Sequence, residues 1–351
     1  MAALQAALAL SVKKKDRIFR NKQLFNLEWY TLYIHKDTGV DDMKRILDCR
    51  ASDFEKMGKD ELKQAILATE GRTVIAETVA AASPLYPEVT NAEIMKAFGA
   101  DMILLNVFDV FRPEVKGLTY SSVFSGEEEH ITEVNPVQAI KKLTGLPVGI
   151  NLEPVDEKAE KLEDLFALPE GRTATEKTLR KAKELGCDFV CLTGNPKTGV
   201  TNAEIERAIA LAAVHFQGLI IAGKMHSAGT HGSMLDLEAL GRFVDAGADI
   251  VLLPAPGTVP GIREEKLAEA IDLVKGKGAL TLAAIGTSQE GADTETIRSI
   301  ALSAKRAGAD VFHIGDAGFT GIAIPDNIRA LSIAIRGMRH TTIRMASSAR
   351  R

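Results

Sequence analysis

The sequence predicts an eight-stranded parallel α/β barrel, the (β/α)8 or TIM barrel, over about residues 70–340. Two observations predict it: a recurring helix-to-strand junction, and eight short apolar runs that alternate with amphipathic stretches. The runs start about 30 residues apart, the length of a strand–helix unit with a right-handed crossover. With 351 residues, 46% hydrophobic and 26% charged, the chain has a globular composition and the length for one such barrel.

The junction is a glycine followed two residues later by an aspartate. Glycine permits the left-handed conformation that ends a helix, and the aspartate lies where the turn enters a strand. The four copies span residues 98–101, 185–188, 246–249 and 307–310.

The eight apolar runs are typical of strands that are buried on both faces, as parallel strands are. They span residues 73–78, 102–107, 147–152, 188–193, 218–223, 249–253, 279–285 and 310–315. An open doubly wound sheet is the competing architecture. It would have fewer strands and a glycine-rich phosphate-binding turn after the first one, where this chain has Glu77-Thr78-Val79-Ala80.

Both ends of the chain depart from this pattern. Residues 1–42 begin with an apolar run followed by lysines and arginines, the reverse order of a secretory signal. We expect a disordered or non-native extension there, with an organellar transit peptide as the alternative. Regular patterning starts at Met43, so residues 43–70 predict a helical cap and residues 43–340 a single domain. Residues 341–351 are expected to form a solvated basic tail.

Composition excludes several classes of protein. A net charge of −4 argues against a general nucleic-acid binder, which needs a strongly basic face. The three cysteines are too few for a disulfide framework and fit a reducing compartment. We expect Cys187 and Cys191 to be buried in the core. Uncharged apolar runs stay below the roughly 18 residues of a membrane span. We expect a cytoplasmic protein without nucleic-acid or membrane partners; its oligomeric state, a homo-oligomer included, stays open.

Polar residues follow the predicted strands, at the end of the barrel where catalytic groups of this fold lie. Acids, a lysine and a histidine on one rim favour an enzyme over a structural barrel. The catalytic candidates are Glu77, Glu153, Lys224 and His226, and the substrate-binding candidates include Asn151 and Asn195.

The loops after the seventh and eighth runs, residues 286–291 and 315–321, predict a phosphate site. Barrels often bind phosphate there with backbone N–H groups that glycines leave accessible. The candidate residues are Gly286, Thr287, Ser288, Gly315, Asp316 and Gly318. In the alternative interpretation the glycines only form tight turns, and Asp316 and Glu290 would repel an anion if they pointed inward.

Lys224 and His226 have two interpretations each. A lysine desolvated at the barrel mouth can form a Schiff base, or it can stay charged and hold a carboxylate or phosphate, which we favour. His226 could transfer protons or only donate and accept hydrogen bonds. His313, inside the eighth run, is expected to be core. Mg²⁺ is an open possibility, with Asp109 and Glu153 as ligands.

Several segments carry a family resemblance, among them Lys44–Cys49, Asn151–Pro154, Leu192–Pro196 and Ile285–Gly291. Through them the chain, from Met43 to about His340, resembles an uncharacterised bacterial family of barrel proteins often encoded beside sugar phosphotransferase components. The resemblance implies a barrel and a phosphorylated metabolite.

A looser similarity joins Gly145–Glu153 to the third strand of the phosphoenolpyruvate phosphonomutase and isocitrate lyase group, where two acids help to hold Mg²⁺. This chain has Asn151 in place of the first acid, and residues 194–199 lack that group's catalytic cysteine.

Two functions follow. The first is a lyase or isomerase acting on a small phosphorylated carbonyl or carboxylate compound, with Lys224 neutralising negative charge and Glu153 or His226 moving the proton. The alternative is a metabolite-binding or regulatory barrel without catalysis, associated with sugar uptake.

Overall fold

The structure is a computed structural model that describes residues 44–118, 120–121, 128–129, 135–159, 164–229, 233–316 and 318–351. The predicted extension over residues 1–42 lies outside this part of the chain. Residues Met43–Arg351 form one compact unit. The boundary predicted at Met43 stays a prediction.

Eight parallel strands close into a barrel, which confirms the predicted fold class. Their order around the barrel is β1-β10-β9-β8-β7-β6-β5-β2, and β3 and β4 form a separate antiparallel hairpin. Each barrel strand overlaps one of the eight predicted apolar runs. The strands are β1 (Thr73–Val79), β2 (Met102–Asn106), β3 (Tyr120–Ser121), β4 (Glu128–Glu129), β5 (Val148–Leu152), β6 (Phe189–Leu192), β7 (Leu219–Gly223), β8 (Ile250–Pro254), β9 (Leu280–Ile285) and β10 (Val311–Ile314).

Helices surround the barrel and connect its strands. They are α1 (Ala51–Phe54), α2 (Lys59–Leu67), α3 (Asn91–Ala97), α4 (Pro136–Thr144), α5 (Glu176–Glu184), α6 (Asn202–His215), α7 (Leu237–Asp245), α8 (Glu264–Gly276), α9 (Thr294–Arg306) and α10 (Pro325–Ala346). Single 3-10 turns occur at Ile46–Asp48, Glu170–Arg172, Gln289–Gly291 and Gly318–Thr320. No helix among the described residues is long and apolar enough to cross a membrane.

The repeated junction aspartates pin the strands at their amino ends. Each carboxylate accepts a hydrogen bond from a backbone N–H at the start of the preceding barrel strand, over 2.8–3.0 Å. The four pairs are Asp101 with Val74, Asp188 with Val148, Asp249 with Ile220, and Asp310 with Thr281. The junction glycines have φ between 78° and 111°, which other residues rarely adopt. The repeat thus ties neighbouring strands together at the amino end of the barrel, which we call its lower rim.

The predicted helical cap covers the same lower rim. Lys59 and Lys63 of α2 form ion pairs with Asp249, over 2.9 and 3.5 Å, just before β8 begins. The amino end of the barrel is therefore closed by the first helices of the described chain, and the opposite, carboxyl end carries the strand-end polar residues.

The basic carboxyl-terminal segment is not a solvated tail, and that prediction is wrong. Helix α10 continues to Ala346 after an interruption at Gly337 (φ 76°, ψ 167°). Arg344 is buried and donates to Asp101 over 2.7 Å and to the Ile46 carbonyl over 2.5 Å. Arg336 donates to the other Asp101 oxygen over 2.5 Å. These arginines are buried because they neutralise a buried carboxylate.

Candidate active site

Glu77 of β1 is the centre of the polar residues inside the barrel mouth. Its Oε1 accepts a hydrogen bond of 2.5 Å from Nδ2 of Asn151 on β5, a strand that is not its neighbour. Its Oε2 lies 3.2 Å from Nε2 of His313 on β10. Contact between non-adjacent strands requires both side chains to point into the barrel. The sequence prediction grouped Glu77 with Asn151 correctly at this end of the barrel.

His313 is fully buried, as expected of a core residue, but its neighbours are not those of an apolar core. It faces the Glu77 carboxylate, and neither ring nitrogen makes a hydrogen bond among the described residues. A buried polar atom without a partner costs about 1–3 kcal/mol, so such atoms commonly mark sites where a ligand supplies the partner. His313 is therefore a candidate site residue that the sequence analysis missed.

A second group of polar side chains comes from the carboxyl ends of three strands, β2, β6 and β10. Asn106, at the end of β2, exchanges two side-chain hydrogen bonds of 2.9 Å with Asn195. Asn106 also donates to Oδ2 of Asp316 over 2.8 Å, and the Gly318 N–H donates to Oδ1 over 2.8 Å. Burial, and then the charge of Glu77, raises the pKa of Asp316 to about 6. Asp316 is thus an acid that changes protonation near neutral pH.

Glu290, in the 3-10 turn after β9, adds a third carboxyl group to the mouth. It is 5% exposed and its Oε2 has no hydrogen-bond partner among the described residues. Burial raises its pKa above the ordinary value, and the charge of Glu77 acts in the same direction. The backbone carbonyls of Glu290 and Ala292 accept hydrogen bonds from Asn327 at the start of α10, which fixes the turn.

Lys224 and His226 follow β7, which lies opposite β1 in the strand order. Lys224 is 7% exposed and donates to the Val200 carbonyl over 2.9 Å. Burial lowers its pKa to about 8. Burial also lowers the pKa of His226 to about 4, with the charge of Lys224 acting in the same direction and that of Glu77 against it. The charges of Lys224 and Glu77 thus both act on His226.

The hydrogen bonding of His226 fixes which of its nitrogens carries the proton. Its Nδ1 accepts from the Ala228 N–H over 3.0 Å, so Nδ1 is unprotonated. A neutral imidazole with an acceptor at Nδ1 has its proton at Nε2. Near neutral pH His226 is thus a hydrogen-bond donor through Nε2 rather than a general base.

Glu153 and Asp109, predicted as Mg²⁺ ligands, both accept hydrogen bonds from other groups. Glu153 is buried, and its carboxylate accepts from Arg172 and from the Asn195 N–H. Asp109 accepts from the Phe111 and Arg112 N–H groups in its own turn. Among the residues that the structure describes, no three His, Cys, Asp or Glu side chains are grouped so that they could hold a metal ion. The Glu153 carboxylate is engaged by Arg172, and Mg²⁺ binding by this pair stays a prediction.

The loops predicted to bind phosphate use several of their donors internally. The Thr287 hydroxyl donates to the Thr258 carbonyl over 2.5 Å, and the Gly318 N–H is taken by Asp316. Ser288 has a left-handed backbone at the start of the turn that carries Glu290. Gly315 lies beside the Glu290 carboxyl, 3.5 Å from where its Cβ would be. The acids of these loops therefore do lie inward, and phosphate binding here stays a prediction.

The polar side chains at the mouth are called the polar cup below. They are Glu77, Asn106, Asn151, Thr193, Asn195, Lys224, His226, Glu290, His313 and Asp316. Besides His313 and Glu290, Asn151 (Oδ1) and Thr193 (Oγ1) have buried atoms without a hydrogen-bond partner among the described residues. A separate cavity of about 730 Å³ lies beside the cup and is lined by Glu153, Asp156 and Phe166 among others. Of the predicted site residues only Glu153 lines it.

Comparison with protein families gives one match, over nearly the whole described chain. The family described as Domain of unknown function (DUF7916) matches residues 47–351. The chain belongs to this family. No functionally curated protein matches it.

Solved structures with a similar backbone include three distant enzymes. A 2,3-dimethylmalate lyase of the PEP mutase/isocitrate lyase superfamily is 15% identical, with a TM-score of 0.44 over 74% of this chain and 81% of that one. An archaeal fructose-1,6-bisphosphate aldolase is 15% identical, with a TM-score of 0.48 over 77% and 96%. Orotidine 5'-phosphate decarboxylase from Pyrococcus horikoshii is 20% identical, with a TM-score of 0.39 over 76% and 100%. Similarity at this level defines neither the substrate nor the reaction of this chain.

Proposed function

We propose that this protein is an enzyme of the lyase or isomerase type that moves a proton on a small carbonyl or carboxylate metabolite bound in the polar cup. The observation that carries the proposal is the set of buried polar atoms at the mouth that make no hydrogen bond to the described residues, on Glu290, Asn151, Thr193 and at Nδ1 of His313. Their combined desolvation cost is offset when a polar ligand supplies hydrogen bonds. Titratable groups beside these atoms give the ligand something to react with.

We assign the removal of the substrate proton to Glu77. Asn151 orients one of its oxygens, and the other faces His313, so the carboxylate is held in one position. It would accept a proton from the carbon next to the substrate carbonyl. The sequence analysis expected Glu153 or His226 in this role. We assign it to Glu77, because the Glu153 carboxylate is occupied by Arg172 and Nδ1 of His226 by the Ala228 N–H.

The negative charge left by proton removal needs stabilisation on the substrate oxygen. His226, neutral with its proton on Nε2, supplies a hydrogen-bond donor, and the Lys224 ammonium supplies positive charge in a buried setting. With a pKa of about 8, Lys224 also has a neutral fraction near physiological pH, so a Schiff base with a carbonyl substrate is the second candidate role. Borohydride reduction separates the two: only a Schiff base leaves a substrate-sized mass increase on Lys224.

Deuterium exchange tests the proton transfer even when the product is unidentified. The protein is incubated in D2O with phosphorylated ketoses and aldoses and with 2-oxo acids, and loss of the proton on the carbon next to the carbonyl is followed by ¹H NMR. We expect exchange for one substrate group, and a reduction of about 100-fold or more in Glu77→Gln. Glu238→Gln, at an acid that is 88% exposed, is the matched control. Equal exchange in Glu77→Gln and the wild type would refute the assignment; binding without any exchange favours the regulatory barrel.

A phosphate group on the substrate is tested at the glycine loops. An added Cβ at Gly318 meets no atom of the described residues within 4 Å, so a valine is accommodated by them, at some backbone strain because φ is +64°. Gly286 is a poorer test, since its Cβ would lie 2.6 Å from Sδ of Met225 and would disturb packing by itself. If these loops cradle phosphate, Gly318→Val weakens binding of inorganic phosphate in calorimetry while circular dichroism stays unchanged. Unchanged affinity in the folded variant moves the anion away from these loops.

A further inference from the structure

Charge is unevenly distributed around the polar cup. Three carboxyl groups come from neighbouring positions: Glu77 on β1, Asp316 after β10 and Glu290 after β9, which are consecutive in the strand order. We call them the acid arc. The described lysine of the cup, Lys224, follows β7, which is the strand opposite β1. A ligand that spans the mouth therefore meets carboxyl oxygens on one side and an ammonium group on the other.

The acid arc is built to receive hydrogen-bond donors. Glu290 is only 5% exposed and keeps an unpartnered Oε2, and the fully buried His313 beside Glu77 has two ring nitrogens without hydrogen bonds among the described residues. These unpartnered atoms are an observation separate from the clustering of the acids, and they suit the polar groups of a ligand. Carboxylate oxygens accept hydrogen bonds only, unless protonated. A phosphate or carboxylate placed here would bring more acceptors and more negative charge.

We propose that the polar cup binds a hydroxylated organic anion in one orientation, with the anionic group on the Lys224 side and its hydroxyl groups on the acid arc. The inference rests on the proposed function, which it deepens by naming the substrate class, and it moves the anion away from residues 286–291 and 315–321. Hydroxyl groups suit the arc in either protonation state of Asp316 and Glu290, whose pKa values burial raises, because a hydroxyl donates to a carboxylate and accepts from a protonated carboxyl group.

Matched pairs of small anions test the orientation in the full-length protein. Glycerate is compared with propionate, and glycerol 3-phosphate with propyl phosphate, by isothermal titration calorimetry at millimolar concentrations. Within each pair the charge and chain length are equal and only the hydroxyl groups differ. We expect the hydroxylated member to bind about tenfold tighter or more, since each hydroxyl can gain a hydrogen bond. The pair that binds more tightly shows whether the site prefers a carboxylate or a phosphate as the anionic group.

Two variants separate the ends of the ligand. Glu290→Leu removes the acceptor and should reduce the preference for the hydroxylated member to about threefold or less. Lys224→Met should weaken both members of a pair by the same factor and leave the preference intact. Glu290→Gln, which keeps a hydrogen-bonding side chain, guards against a folding defect in Glu290→Leu and should retain part of the preference. Glu295→Gln, at an exposed acid on α9, is the control and should change neither quantity.

The inference fails if no anion binds, if neither pair shows a preference, or if Glu290→Leu binds propyl phosphate more tightly than the wild type while Lys224→Met is unchanged. That last result would put the anion on the acid arc. Failure of the proposed function looks different: the binding preferences and their response to the variants persist, but none of the ketoses, aldoses and 2-oxo acids of the exchange experiment loses a carbon-bound proton.

Discussion

Replacement of Lys224 by methionine is expected to make the folded protein more stable near neutral pH. The pKa of this lysine falls from 10.5 to about 8 because burial disfavours its charged form. One pKa unit corresponds to about 1.4 kcal/mol, so keeping the ammonium charged in the folded state costs about 3 kcal/mol below pH 8. Methionine removes this cost but also removes the interactions of the ammonium group, among them the hydrogen bond to the Val200 carbonyl, which contributes about 1 kcal/mol. The net expectation is a gain of about 2 kcal/mol in the free energy of unfolding.

The gain must depend on pH, with a sign that follows from the lowered pKa. Below about pH 8 the lysine is charged in both states, and the folded protein bears the full cost. Between about pH 8 and 10.5 the folded protein loses the proton first, so the cost shrinks. Above that range both states are neutral, so the gain disappears and the loss of the hydrogen bond to Val200 remains.

Urea denaturation followed by far-UV circular dichroism measures the free energy of unfolding of the variant and the wild type at about pH 7 and about pH 10. Lys266→Met, at an exposed lysine on α8, is the matched control and should stay within about 0.5 kcal/mol of the wild type at both. If Lys224→Met is less stable than the wild type at neutral pH, or differs from it equally at both pH values, desolvation does not govern this lysine.

Two further predictions concern the framework that holds the cup. Arg344→Met should lower the free energy of unfolding by about 3 kcal/mol, because it breaks a buried ion pair with Asp101. Arg339→Met, at an exposed position, is the control and should cost less than about 0.5 kcal/mol. Equal losses of the two variants in urea denaturation would contradict the buried ion pair. Gly149→Ala should cost about 1–3 kcal/mol, since the added Cβ would lie 2.3 Å from the buried Phe189 ring, and a Gly149→Ala protein as stable as the wild type would show that the ring moves freely.

The strands were predictable because parallel strands buried on both faces leave an unmistakable apolar run, and the junction aspartates mark where strands begin. The same logic located much of the cup: Glu77, Asn151, Asn195 and Asp316 follow or end strands, and parallel strand ends meet at one rim. The fold class thus follows from local patterns alone.

The partners of these residues depend on register and on distant loops, which local patterns do not contain. His313 lies inside a strand and has the pattern of a core residue; only its pairing opposite Ile75 of β1 brings it to Glu77. Glu153 follows a predicted strand, and that position favours a catalytic role. Arg172, whose side chain binds the Glu153 carboxylate, comes from a later loop, and nothing in the sequence near Glu153 predicts this contact. The buried Arg344 pairs with Asp101 across 243 residues of sequence, so its basic surroundings by themselves predict a tail.

The most direct test of ligand binding in the polar cup is a crystal structure of the protein soaked with whichever anion of the matched pairs binds most tightly. We expect difference density inside the cup, with the anionic group nearest Lys224 and hydroxyl groups within hydrogen-bond distance of Glu290 and Asp316. Density for the compound in the neighbouring cavity lined by Asp156 and Phe166, with none in the cup, would contradict this assignment.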